Sequence, residues 1–243
     1  MADASAPDTA VSAALDDLDP FALLDVESAR VDRFFSALRG DGWSRPTRCA
    51  GWTVRDLLGH LAAVEEYDLA CLDDRLDELF ARAQAAEVEE LDDFNAWGVR
   101  ERAHLPAADL LDRWRADNAE FRRRMRERGR GGTLTTSVGP YPVGLQAFHL
   151  ACEYATHADD LDAPVRPEEE PGRTRWRARF TRFALRENEC PVSVTPAGME
   201  NIVRCGDEVF VLTDAELVAA GVRRLPAAHP LPPHVRDALT CLA

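Results

Sequence analysis

The sequence contains no lysine, since all 29 of its basic residues are arginine. This absence excludes enzymes that form a Schiff base on lysine and nucleotide-binding proteins that depend on a P-loop lysine. There is also no run near the roughly 18 consecutive apolar residues that a transmembrane helix needs. The first ten residues, MADASAPDTA, have neither the basic flank nor the apolar run of a signal peptide. We therefore expect a cytoplasmic protein that does not enter a membrane.

Positive charge is scarce overall. The 29 basic residues face 43 acidic ones, which gives a formal net charge of −14 at pH 7. A surface of this sign repels phosphate backbones and anionic lipids. The charge balance therefore argues against nucleic-acid binding and against binding to a membrane surface.

The cysteines are scattered, and no two of them form a C-x-x-C pair. This spacing argues against a cysteine-rich zinc site and against a disulfide framework. We expect most of the cysteines to be small buried apolar residues. They are Cys49, Cys71, Cys152, Cys190, Cys205 and Cys241.

The hydrophobic pattern of the first two thirds of the chain has the period of amphipathic helices. It predicts helices over about 20–38, 53–86, 91–128 and 143–161, with Pro106 dividing the third of them. Thr53 followed by Asp56 resembles a capping box at the start of the second helix. Four such helices predict a four-helix bundle over residues 1–163.

After this region the pattern changes. Residues 164–175, with PEEEPGR at their centre, are predicted to be a linker, and residues 176–243 a small α+β domain. Its predicted elements are strands over 192–195, 201–205 and 209–212, and a short helix over 215–221. The 243-residue chain is thus expected to form an α-helical bundle followed by a small C-terminal α+β domain.

The fourth predicted helix contains HLACEYATHADDL, in which His149, Glu153 and His157 are four residues apart. Side chains at this spacing project from one helix face, and two of them can bind one metal ion. A third ligand must come from another helix, and His60, within RDLLGHL, is the best donor. A buried, ionised Glu153 would need a cation nearby. The alternatives are that this face is solvated and that the histidines are hydrogen-bonded core residues.

Several motifs resemble one known family. The segment WSRPTRCAGWTVRDLLGHL, the segment DDFNA and the segment ACEYATHADDL are together similar to the maleylpyruvate isomerase family of mycothiol-dependent enzymes, within the DinB-like bundle superfamily. The resemblance covers most of residues 20–163. It implies a DinB-like bundle, a small C-terminal domain, and a divalent metal, usually zinc, held by His60, Glu153 and His157. It also implies the use of mycothiol, the low-molecular-weight thiol of actinobacteria.

Three protein ligands leave a coordination position open, as in catalytic zinc sites. A thiol bound there loses its proton and becomes a nucleophile at neutral pH. Such a thiolate can isomerise an activated double bond or displace a leaving group, so we expect an isomerase or an S-transferase that acts on a small electrophilic substrate. His149 and Asp160 are the candidate catalytic residues. His149 could be a fourth ligand, an outer partner or a general base, and Asp160 could orient a ligand imidazole or contact substrate.

Two other functions stay open at this point. The metal could act as a Lewis acid without any thiol, in a lyase, cyclase or hydrolase of a specialised actinobacterial pathway. Alternatively the bundle could be non-enzymatic, with a vestigial metal site. The expected partners are a small-molecule substrate and a low-molecular-weight thiol, and the chain is expected to be a monomer or a homodimer.

Overall fold

The computed structural model describes residues 13–242. The chain divides into two compact units, one formed by Pro20–Pro164 and the other by residues 13–19 together with 165–242. In the part of the chain that is described, no helix is both long and apolar enough to cross a membrane.

The first unit is a helical bundle, which confirms the predicted fold class. The elements of this unit are α1 (Pro20–Ala37), α2 (Val54–Leu72), α3 (Leu76–Ala85), α4 (Leu91–Arg102), α5 (Ala107–Arg128), β1 (Thr133–Thr136), β2 (Gly139–Pro142) and α6 (Val143–Asp160). Of the six α-helices, the four long ones form the bundle, in which α1 packs along α6 and α2 packs along α5.

The start of α2 is fixed by its own sequence. The Thr53 hydroxyl accepts a hydrogen bond from the Asp56 backbone N–H at 3.2 Å, and the Asp56 carboxylate accepts one from the Thr53 N–H at 2.9 Å. This capping box satisfies N–H groups that a helix N-terminus otherwise leaves unpaired. Leu57, Leu58 and Leu61 then follow with no solvent exposure. Their burial anchors the helix that carries His60 in the core.

Two predictions for this unit were wrong. The helix predicted over 53–86 is interrupted after Leu72, where Asp74 adopts a left-handed conformation with φ of 55°. Aspartate tolerates this conformation and favours turns over helix interiors. The segment between the third and fourth predicted helices, for which no strand was predicted, contains the antiparallel hairpin β1–β2, with Thr136 paired to Gly139. Its strands carry threonine and tyrosine, which favour β structure.

The second unit is α+β, as predicted. Its elements are α7 (Glu170–Glu187), β3 (Ser193–Ala197), β4 (Glu200–Cys205), β5 (Glu208–Thr213), α8 (Asp214–Gly221) and α9 (Pro233–Leu239). The three strands form one antiparallel sheet in the order β3, β4, β5, and their bounds agree with the predicted strands to within two residues. Val203, Leu212 and Leu217 lie in its apolar core.

Two helices of this unit were not predicted. Helix α7 begins at Glu170, inside the segment predicted to be a linker, and α9 is a short helix that begins at Pro233. The apolar residues Trp176, Phe180 and Phe183 of α7 have helical spacing and are buried. Many arginines lie between them, so the apolar stripe is easily overlooked in the sequence.

Candidate metal centre

The bundle brings together the three predicted metal ligands. The Glu153 Oε1 atom lies 2.9 Å from His60 Nε2 and 3.0 Å from His157 Nε2. The two imidazole rings meet edge to face, with their centroids 4.9 Å apart. We call His60, Glu153 and His157 the first triad. Helix α6 supplies two of its members from successive turns, and α2 supplies the third.

The first triad is buried at its histidines and open at its carboxylate. The His60 and His157 side chains are 6% and 9% exposed, whereas the Glu153 side chain is 30% exposed. A small molecule can therefore approach from the side of Glu153. The Trp52 ring, 5.1 Å from that of His60, lines the site.

The electrostatics of the first triad favour an ionised carboxylate. Burial opposes the charge on Glu153, but the facing His157 and His60 imidazoles outweigh it and hold the pKa of Glu153 well below its usual value. Burial also lowers the pKa of His60, so this imidazole is neutral, which is the form that binds metals. Burial opposes the charged form of His157, yet Glu153 and Asp160 raise its pKa well above the usual value.

These side chains fit a divalent cation. Two imidazole nitrogens and a carboxylate oxygen are the donors that zinc takes in catalytic sites, with further positions left for water or substrate. The support around the two histidines differs. The Nδ1 atom of His157 lies 3.2 Å from Asp160 Oδ2, whereas the buried Nδ1 atom of His60 has no hydrogen-bond partner among the described residues. Carboxylates placed like Asp160 fix the orientation of a ligand imidazole.

Asp160 lies inside the bundle and is only 2% exposed. Its Oδ2 atom also accepts a hydrogen bond from Cys49 Sγ at 3.2 Å, and Cys49 Sγ lies 3.9 Å from His157 Nδ1. Cys49 was expected to be a buried apolar residue, but it is half-buried and polar in its contacts. The general expectation for the cysteines was wrong, because only Cys71 and Cys152 are fully buried.

His149 belongs to neither of the clusters in the described chain whose donor atoms could hold one metal ion. It is half-buried on α6, and its Nε2 atom lies 3.1 Å from the Tyr141 hydroxyl. Tyr141 comes from β2, so the hairpin positions His149 beside the open face of α6. Sequence patterns did not predict this contact, because they did not predict the hairpin itself.

A second group of buried polar side chains lies on α2, α5 and α6. Glu65 and Asp68, both on α2, are fully buried, and each has one carboxyl oxygen without a hydrogen-bond partner in residues 13–242. Glu65 Oε1 accepts hydrogen bonds from the Tyr154 hydroxyl and from Asn118 Nδ2, the latter at 2.7 Å. Burial raises the pKa of Glu65 to about 7. Sequence patterns did not predict this group.

Comparisons with known proteins find similarity to one family. Residues 24–162 match a family model that is described as the mycothiol maleylpyruvate isomerase N-terminal domain. The chain is similar in structure to the mycothiol-dependent maleylpyruvate isomerase, at 17% identity, and to a histidine-to-alanine mutant of that enzyme, at 16%. Each similarity covers 68% of this chain and 66% of the other, with a TM-score of 0.48. No curated protein sequence matches the chain.

Proposed function

The chain belongs to the family defined by the mycothiol maleylpyruvate isomerase N-terminal domain, and on this premise we propose that it is a metal-dependent enzyme that uses mycothiol as a nucleophile on a small electrophilic substrate. The matched domain occupies more than half of the chain. The similarity covers 66% of the length of the solved relatives, which is less than two thirds. The substrate and the reaction of the whole protein are therefore part of what we propose.

The observation that supports it best is the convergence of two imidazole nitrogens on one carboxylate oxygen. His60 Nε2 and His157 Nε2 lie 2.9 and 3.0 Å from Glu153 Oε1, on helices that are far apart in sequence. Burying such a set is costly unless a ligand uses it. We propose that these three atoms hold one divalent cation, of which zinc suits the donor set best.

A divalent cation at this position would lower the pKa of a bound thiol and stabilise the thiolate at neutral pH. The protein side chains define where that thiol enters. Glu153 is the exposed member of the triad, so the thiol approaches over its carboxylate. The Trp52 ring lies beside the His60 ring and borders that side of the first triad.

Two further residues have proposed roles. Asp160 accepts the Nδ1 proton of His157 in a hydrogen bond and keeps the Nε2 atom directed at the centre of the first triad. His149, half-buried one turn before Glu153, lies within reach of a substrate on the open face, where its hydrogen bond to Tyr141 fixes its ring. We propose that His149 moves a proton to or from the substrate.

The family name favours isomerisation over transfer. In an isomerisation, the thiolate sulfur adds to one carbon of an activated double bond, the resulting single bond rotates, and the sulfur leaves again with its electron pair. The thiol is regenerated. In an S-transfer, the sulfur displaces a leaving group and stays in the product, so the thiol is consumed.

The test is turnover of maleylpyruvate and of other activated cis-alkenes, with and without mycothiol, before and after treatment with a chelator. We expect turnover that needs both the thiol and the metal and leaves the thiol concentration unchanged. Stoichiometric loss of the thiol would instead identify a transferase. Turnover without any thiol would contradict the proposal and favour Lewis-acid chemistry.

A further inference from the structure

A second set of metal-binding atoms lies on the other edge of the His157 ring. Cys49 Sγ is 3.2 Å from Asp160 Oδ2 and 3.9 Å from His157 Nδ1, and Nδ1 is 3.2 Å from Oδ2. We call Cys49, His157 and Asp160 the second triad. It shares His157 with the first triad, but it uses Nδ1 instead of Nε2, so the two sets of atoms are distinct.

The spacing of the second triad suits tetrahedral coordination. With a metal–sulfur distance of about 2.3 Å and metal–nitrogen and metal–oxygen distances of about 2.0–2.1 Å, ligand atoms in a tetrahedral zinc site lie about 3.3–3.6 Å apart. The three distances observed, 3.2, 3.9 and 3.2 Å, lie just outside this range on either side. Small side-chain movements would therefore be enough to complete the site.

The backbone already holds these atoms in place. The loop that carries Cys49 is tied to the end of α6 by a hydrogen bond from the Arg48 N–H to the Asp160 carbonyl, at 3.2 Å. The Trp52 N–H donates to the Cys49 carbonyl at 3.0 Å and closes the loop on itself. A cation would thus meet a preorganised set of ligands, which reduces the entropic cost of binding.

The chemistry of the second triad differs from that of the first. A cysteine sulfur selects thiophilic cations such as Zn²⁺ and Cd²⁺. When the cation binds, the thiol proton and the proton on His157 Nδ1 both pass to solvent, and the thiolate and the Asp160 carboxylate together balance the two positive charges. Asp160 and His157 are buried, whereas Cys49 is half-buried, so the remaining coordination position opens towards the cysteine.

We propose that Cys49 Sγ, His157 Nδ1 and Asp160 form a second site, for a thiophilic divalent cation. This site does not depend on the proposed thiol chemistry, because it uses a cysteine of the chain itself. Its occupation draws the Asp160 carboxylate and the His157 ring into a new arrangement. Excess zinc or cadmium is therefore expected to compete with the orienting contact between Asp160 and His157.

Cobalt titration of the metal-free full chain tests this proposal, because Co²⁺ bound to a thiolate gives an intense near-ultraviolet charge-transfer absorption that cobalt on nitrogen and oxygen ligands lacks. We expect this absorption in the wild type and its loss in Cys49→Ser. We also expect the wild type to bind about one more Cd²⁺ ion per chain than Cys49→Ser. The matched control is Cys190→Ser, which changes another half-buried cysteine and is expected to leave both signals intact.

Two additional measurements distinguish a failure of the second site from a failure of the proposed function. His60→Ala removes a member of the first triad only, so it should leave the thiolate absorption in place even if the proposed function is wrong. In the unmodified wild type, Cd²⁺ should slow alkylation of Cys49, as followed by peptide mass spectrometry. Absence of the absorption in the wild type, its survival in Cys49→Ser, or unchanged alkylation would each overturn the second site.

Discussion

The two units of the protein have cores of opposite character. The second unit is centred on an apolar cluster that includes Val203, Leu212 and Leu217. In the first unit, buried imidazoles and carboxyl groups extend along α2 and α6 from His157 to Asp68. Burying ionisable groups costs free energy that an apolar core does not incur. The difference indicates that the polar core of the first unit contributes less to stability than an apolar cluster such as that of the second unit.

The strongest test of this difference replaces one histidine in each unit. His157→Ala removes a proposed metal ligand that both triads share and is expected to weaken metal binding by more than about 100-fold, since even partners outside the ligand shell contribute about 10–100-fold. His229→Ala changes a half-buried histidine of the second unit, whose Nε2 lies 3.3 Å from Glu216 Oε1, and should leave metal binding intact. Elemental analysis of the purified variants gives the answer. Equal metal content in the two variants would contradict the assignment of metal binding to the first unit.

A smaller effect, on the pH dependence of stability, is expected from Glu65, a buried acid of the first unit. Because the pKa of Glu65 rises from 4.5 to about 7 in the folded protein, the folded state keeps a proton that the unfolded chain releases. Glu65 thus contributes on the order of 3 kcal/mol to the free energy of unfolding. This contribution is fully present below pH 4.5 and is lost as the pH rises to about 7. Glu65→Gln should abolish this loss, as measured by urea unfolding at several pH values.

The control for that experiment is the neighbouring residue. Glu66→Gln changes a partly exposed acid whose pKa is lowered: burial opposes its ionisation, but Arg102 and Arg82 outweigh burial. This variant should keep the decline in stability between pH 4.5 and 7. If Glu65→Gln and the wild type had the same pH dependence, Glu65 would not carry the proton.

The smallest expected loss of stability comes from removing a helix cap, and it should be the same in both units. Thr53 caps α2 and Thr213 caps α8, each in a reciprocal box, with Asp56 and Glu216 respectively. Replacing either threonine with alanine removes one hydrogen-bonded cap and should cost about 1 kcal/mol, whereas serine should restore most of it. Urea unfolding measures both. A much larger loss of stability in Thr53→Ala than in Thr213→Ala would show that the start of α2 is coupled to the polar core.

Sequence reasoning found much of the fold because helices and hairpin-linked strands are local. The spacing of Glu153 and His157 needs only the helical period, and the choice of His60 needs only two helices that face each other. The reasoning failed at Asp74, where one left-handed residue ends a helix that the hydrophobic pattern would continue. It also missed α7, because arginines separate the apolar residues of its buried stripe.

The α-helical bundle, the small α+β unit, and the alignment of His149, Glu153 and His157 on one helix all follow from sequence patterns. The contacts that these side chains make follow from the packing of the folded chain. This packing directs His60 to Glu153, places Asp160 and Cys49 on the far edge of His157, and holds His149 against Tyr141. The physical reason is that helical period follows from the backbone alone, whereas contacts between distant segments depend on how closely the helices and loops pack.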